Sequence, residues 1–237
     1  MTRIKHISFD VWNTLLFPNP EFSFRRAEFL HNALIDDEKV SILSVKDAYT
    51  AVKKALDEEA IAGLPAMSST DNWIRLCDSF AHPKYTKRLE ISEQIVTPIE
   101  KLFMQYPPTF PEKTVQMLKD LKKSGYTLSI ASNTNFISGN ILHELITAAT
   151  GDIFSFVLFS DITGESKPSA KMFEDILRGV NDIDPSKITC CDEILHVGDH
   201  PICDVQGAHD YGMYALLCTK PEDMYNELAF YIEEKLK

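Results

Sequence analysis

No stretch of this 237-residue chain approaches the run of about 18 consecutive apolar residues that a membrane-spanning helix needs. The first twenty residues carry Arg3 and Lys5, but Asp10 and Asn13 interrupt their apolar positions and no small-residue cleavage site follows, which argues against a secretory leader. Cysteine is scarce: Cys77, Cys190, Cys191, Cys203 and Cys218 make an odd number, two of them adjacent, and none in a CxxC spacing. A disulfide framework and a cysteine zinc site are therefore not expected, and the thiols are expected to be reduced and mostly buried. Basic residues are outnumbered, 24 against 35 acidic, for a formal net charge of −11. Such a chain is a poor non-specific ligand for nucleic acid or anionic membrane, and any anionic substrate would need a local basic group. Internal repeats and low-complexity tracts are also absent. These exclusions leave a cytoplasmic globular protein as the expectation.

What is present begins with Ile4 to Pro18, IKHISFDVWNTLLFP. Its apolar run suits a buried strand of a parallel sheet, and Asp10 follows at the carboxyl edge, where open α/β sheets place their ligands. Helical spacing covers Phe22 to Leu34, Ser44 to Ala62, Asp71 to Phe80 and about Tyr85 to Tyr106. Ser69, Thr70 and Asp71 are the cap candidates for the third of these. Thr97-Pro98 reads as an N-cap with a first-turn proline, giving two helices or one kinked helix. From about 20 to 106 no convincing strand is read.

Strands and helices then alternate. Strands are expected at 126–131, 156–159, 193–197 and 213–218, and helices at 112–123, 136–149, 169–180, 204–211 and 221–237. This pattern implies a Rossmann-like parallel α/β sheet with helices on both faces. Proline-rich crossings, FPNP at 17–20 and YPPTFP at 106–111, bracket the helical stretch. The expected architecture is a discontinuous core, 1–16 with 108–237, carrying an all-α helical-bundle cap at 17–107.

Asp10, Ser132, Lys167, and Asp199 with Asp204 all fall at the carboxyl ends of expected strands or in the loops after them. Each taken alone has an ordinary role as a cap, turn or solvated residue. In order the chain reads FDVWNTL, SIASNTN, GESKP and VGDHPICD. This series resembles the haloacid dehalogenase superfamily, whose ordered motifs are an aspartate nucleophile, a serine or threonine, a lysine and a GD…D pair. The resemblance implies that Asp10 is the nucleophile and that Ser132 and Lys167 hold the oxygens of the transferring group. It also implies Mg²⁺, with Asp10, Asp199 and the backbone carbonyl of Trp12 as ligands and Asp204 supporting from behind. Amides near Val11 and Asn133 would add donors, and Thr14 would orient the first loop.

The departure from the family pattern is at Trp12. Phosphatases of the family carry a second aspartate there, which protonates the leaving group and activates water. An indole does not titrate, so Trp12 cannot do this work. Dehalogenases of the family also have an aromatic residue at that place, but they lack the metal-type acidic pair that VGDHPICD keeps. His200, and Arg25, Arg26, Glu58 or Glu59 from the helical stretch, are candidates to reach the site. The expected function is a Mg²⁺-dependent phosphatase acting on a small phosphorylated metabolite through an aspartyl-phosphate, as a monomer or homodimer. The alternatives are a metal-independent 2-haloacid dehalogenase and a phosphate- and metal-binding module.

Overall fold

A computed structural model describes residues 4–34, 41–80, 84–187, 189–218 and 224–236. Five parallel strands form one sheet in the order β3-β2-β1-β4-β5: β1 (His6–Phe9), β2 (Thr127–Ser132), β3 (Phe156–Phe159), β4 (Ile194–Gly198) and β5 (Tyr214–Leu217). β1 lies in the middle, with Phe9 level with Ile130 on one side and Val197 on the other. Strand alternation sends Ile7, Phe9, Leu128, Leu195 and Val197 to one face, under α6 (Thr114–Lys123) and α11 (Met224–Leu236). The opposite face, with Ala131, Ile194 and Ala215, packs against α9 (Ala170–Ile183) and α10 (Gly207–Asp210). Both faces are covered, which is why the strands read as short apolar runs.

The second face also carries unusual polar residues. His6 is hydrogen-bonded through both ring nitrogens, to Thr127 Oγ1 and Ser129 Oγ at 2.8 Å each, and stacks on Phe156. Burial lowers its pKa to about 3, with Lys122 and His196 adding to the effect. The ring is neutral.

Between β1 and α6 the described residues form helices only: α1 (Pro20–Leu34), α2 (Ile42–Ile61), α3 (Ser69–Asp78), α4 (Arg88–Ile91) and α5 (Thr97–Gln105). The residue that caps α3 is Ser68, whose Oγ accepts the Asp71 amide at 3.2 Å; the sequence had pointed to the three residues after it. Thr97-Pro98 does not start a new helix. A π-helical turn over Ser92–Val96 joins α4 to α5 without leaving helical dihedrals, so the chain runs on as one irregular helix. The two proline-rich crossings pair with each other: Phe17 and Thr109 exchange backbone hydrogen bonds of 2.9 and 3.0 Å.

One apolar cluster joins this helical block to the sheet. It includes Leu30, Val45, Trp73 and Phe103 from the helices, Ile130 and Phe159 from strands, and Leu142 and Ile146 from α7 (Gly139–Thr150). Trp73 is fully buried, and its indole N–H donates to the Phe136 carbonyl at 2.8 Å. No helix of the described residues is long and apolar enough to cross a membrane.

Candidate active site

The site forms where β1, β2 and β4 end. Asp10 leaves β1 with its amide bonded to the Val197 carbonyl at 2.9 Å, which fixes it between the neighbouring strands. The chain then turns tightly: the Val11 carbonyl accepts the amides of Leu15 and Leu16, each at 2.9 Å. Asn13 takes the left-handed conformation, φ 57°, which asparagine tolerates better than most residues. Its side chain thereby reaches Asp199 Oδ2 at 3.1 Å.

Ser132, the last residue of β2, donates to Asp10 Oδ1 at 3.0 Å. Lys167 donates to the same oxygen at 2.8 Å and to Asp204 Oδ1 at 2.6 Å. Its loop is held by a reciprocal pair with Asn133, whose amide and carbonyl bond the Lys167 backbone at 2.8 Å each way. The Lys167–Pro168 peptide is cis. Asp204 sits in the π-helical turn Pro201–Gln206 and leans back over Gly198, where any side chain would collide with its carboxyl group. Its Oδ2 accepts the His200 amide at 2.8 Å, and His196 Nε2 lies 3.1 Å from Oδ1.

The charges follow from burial. Lys167 is 1% exposed; burial opposes its charge, yet Asp10 and Asp204 hold its ammonium above the usual lysine range. Burial likewise opposes ionisation of Asp204, but Lys167 and His196 hold its carboxyl well below the usual carboxylate range. Asp10 is pushed up by burial, with Lys167 opposing that shift. Asp199 is also raised, chiefly by burial.

One carboxylate oxygen from each of Asp10, Asp199 and Asp204 lies within 4.8 Å of the other two. One buried ammonium pairs with two of them, Asp10 and Asp204. Asp10 Oδ2 and Asp199 Oδ1 accept no hydrogen bond from the described residues, whereas both oxygens of Asp204 are engaged. Hard oxygen donors, two free, and an excess of negative charge fit a Mg²⁺ ion, with Asp204 bracing rather than facing it.

A cavity of about 380 Å³ opens above these residues. Trp12, Asn133 and His200 line it on the sheet side, and Phe22, Arg26, Tyr49 and Phe103 on the helical side. A family model of haloacid dehalogenase-like hydrolases matches residues 4–212. The chain belongs to that family. "Haloacid dehalogenase-like hydrolase domain-containing protein 3" of Mus musculus is 28% identical over 136 residues, 55% of this chain and 50% of the mouse protein. The chain thus aligns with about half the length of that relative. Glyceraldehyde 3-phosphate phosphatase of Pyrococcus furiosus is 26% identical over 213 residues, 90% of this chain and 80% of the archaeal one. Among solved structures, the HAD-hydrolase YfnB from Bacillus subtilis bound to magnesium superposes with a TM-score of 0.69 at 15% identity, covering 98% of this chain and 100% of that one. A 2-haloacid dehalogenase from Pseudomonas syringae gives 0.63 at 18%, covering 96% and 99%. Likeness at these identities shows the fold, a Rossmann-like sheet of the haloacid dehalogenase type.

The residues expected from sequence are not all at the cavity. Asp10, Trp12, Asn133, Lys167, Asp199, His200 and Asp204 line it. Ser132 is buried beneath Asp10, and Thr14 is fully buried with a hydroxyl that has no partner among the described residues. The His200 ring caps its own turn, its Nδ1 accepting the Ile202 and Cys203 amides at 3.2 and 3.1 Å. Nδ1 is thus an acceptor, which leaves Nε2 as the ring's other site. Arg25 is tied to Glu21 and Glu28, Glu58 pairs with Lys54, and Glu59 pairs with Arg75; none of the three lines the cavity.

Sequence reasoning passed over Asp57, which does line it. Asp57 accepts Lys53 Nζ at 2.7 Å on one oxygen and Asn135 Nδ2 at 3.0 Å on the other. With both oxygens accepting, it ties α2 to the loop after β2. It is placed to latch rather than to protonate. Nothing in the local sequence marks Asp57, Asn135 or Trp73 for the cavity, because the bonds from Asn135 to Asp57 and from Trp73 to Phe136 join residues more than sixty apart in the chain.

Proposed function

We propose that this protein is a Mg²⁺-dependent phosphatase that works through an aspartyl-phosphate on Asp10. The observation that carries the reading is the cluster of Asp10, Asp199 and Asp204, in which a single lysine pairs with Asp10 and Asp204 and leaves Asp199 without a cation. Three carboxylates so close repel one another unless a cation joins them, and a metal-independent dehalogenase has no need of such a cluster. The aromatic Trp12 is the feature that favours the dehalogenase reading, and it ranks second for that reason.

In this reading Asp10, Asp199 and the Trp12 carbonyl would hold the ion, which would supply charge neutralisation to the phosphoryl oxygens. Asp10 attacks phosphorus and the bond from phosphorus to the leaving oxygen breaks. Ser132 and Lys167, which touch Asp10 in the free protein, then hold the phosphoryl oxygens and offset the charge that builds on them. Water attacks the phospho-aspartate and releases inorganic phosphate. The helical segment 17–107 acts as a cap over a core of 1–16 and 108–237, excluding bulk water from the cavity.

Trp12 sets the substrate preference. It lines the cavity and offers no proton, so the leaving group has to depart as an anion. Acyl, aryl and anhydride phosphates can do this, and sugar alkoxides cannot. The phospho-aspartate should also persist, because its hydrolysis lacks the same base. The test is intact mass after incubation with Mg²⁺ and acetyl phosphate beside Asp10→Asn. A Mg²⁺-dependent phosphate adduct absent from the variant is expected; no adduct and no hydrolysis would sink the reading.

A further inference from the structure

Arg26 and Lys53 are cations of the cavity that the mechanism leaves unused, and only Lys53 has a carboxylate, Asp57, beside it among the described residues. The Arg26 guanidinium carbon lies 3.7 Å from the ring centroid of Tyr49 and 5.2 Å from that of Phe22, and Nη1 donates to the Tyr49 hydroxyl at 2.9 Å. Three other cationic side chains of the helical block have carboxylates: Arg25 has Glu21 and Glu28, Lys53 has Asp57, and Arg75 has Glu59. Arg26 has no carboxylate partner among the described residues. Burial works against its charge, and burial also pushes the Tyr49 hydroxyl up, so the phenol supplies no counter-charge.

A partly desolvated cation held only by aromatic faces and one neutral oxygen is costly where no counter-charge meets it. On the wall of a cavity it is a vacancy for an anion. Stacking on Tyr49 orients the planar guanidinium and leaves N–H groups at its edge, which suit two oxygens of one carboxylate. One unpaired cation balances one negative charge. A second phosphate dianion would add more charge than it can offset, in a protein of net charge −11. The wall shared by Asp10 and Arg26 is aromatic, with Trp12, Phe22, Phe103 and Phe136, and suits a flat or apolar body.

We propose that Arg26 binds a carboxylate on the leaving group, so that the substrates are small carboxylated acyl or aryl phosphates whose phosphoryl end meets Asp10. This rests on the phosphatase reading and narrows it. This charge also gives selectivity, since an uncharged leaving group leaves the half-buried guanidinium unmatched.

The test is calorimetric binding, with Mg²⁺ present, of phenylphosphonate and 4-carboxyphenylphosphonate, which differ only in the carboxylate and are not hydrolysed. The whole chain should bind the carboxylated probe about 10-fold or more tightly. In Arg26→Met the ratio should fall to about one. Equal affinities in the unaltered protein overturn the proposal without any variant, as does a preference that survives Arg26→Met, or the failure of both probes to bind. Acetyl phosphate carries no carboxylate. An Asp10 adduct from it, together with equal probe affinities, would therefore show the subsite wrong and the phosphatase reading intact.

Discussion

The indole of Trp12 stands edge-on to Phe103 of α5, with ring centroids 6.2 Å apart and planes at 68°. The residue at the acid's place in the motif is thus part of the contact between the sheet and the helical block. Packing and cavity lining are both its roles, and they make opposite demands on a substitution. Trp12→Asp should raise turnover of an alkyl phosphate by roughly 10²-fold or more and shorten the life of the Asp10 adduct. It should also destabilise the fold by about 1–3 kcal/mol through the lost aromatic contact. Steady-state rates and denaturant unfolding measure the two effects; unchanged turnover would mean another group already serves as acid.

Lys167 shares one ammonium between Asp10 and Asp204. Lys167→Met leaves two carboxylates facing each other in a buried site, and breaking such a pair costs roughly 3–5 kcal/mol. The expected result is a lower unfolding midpoint together with loss of the acetyl phosphate adduct. A variant of native stability would show that the carboxylates find another partner.

Gly198 admits Asp204 over the end of β4. Gly198→Ala should push that carboxylate out of place, and loss of such bracing typically weakens metal binding about 10- to 100-fold. A Mg²⁺ titration by calorimetry reads this directly, and wild-type affinity would remove Asp204 from the metal's surroundings.

His6 makes acid stability measurable. Its folded pKa, about 3, lies below the ordinary 6.5, so between those values the unfolded chain binds a proton that the folded chain does not. Stability from this group is present above pH 6.5 and is lost as pH falls, by about 1.4 kcal/mol per unit. His6→Gln should therefore be more destabilising at pH 7.5 than at pH 5, with the gap narrowing by about 2 kcal/mol. Urea unfolding of both proteins at both pH values checks it, and a constant gap would contradict the burial of a neutral ring.

The strands and most helices were readable because their signals are local. The apolar run before Asp10 and the Ser124-Gly125 pair that ends the helix at 112–123 declare themselves within a few residues. Differences arose where the backbone had two local options. Ser68 and the three residues after it are all competent caps, and Thr97-Pro98 is compatible with either a new helix or a continuing one. Packing of Ile95, Val96 and Ile99 into one apolar cluster, without an interruption, goes with the second.

The sequence by itself determined the family, the parallel sheet, and the loops that carry Asp10, Ser132, Lys167, Asp199 and Asp204, since strand ends in such a sheet converge on one edge. It left Arg25 and Arg26 as equals, and Glu58 and Glu59 as candidates beside an unremarked Asp57. Only the tertiary structure separated them. One residue along a helix turns a side chain by about 100°, and the partner that decides its role belongs to another element. Arg25 thus meets glutamates on its own helix, while Arg26 meets Tyr49 of α2 and the cavity.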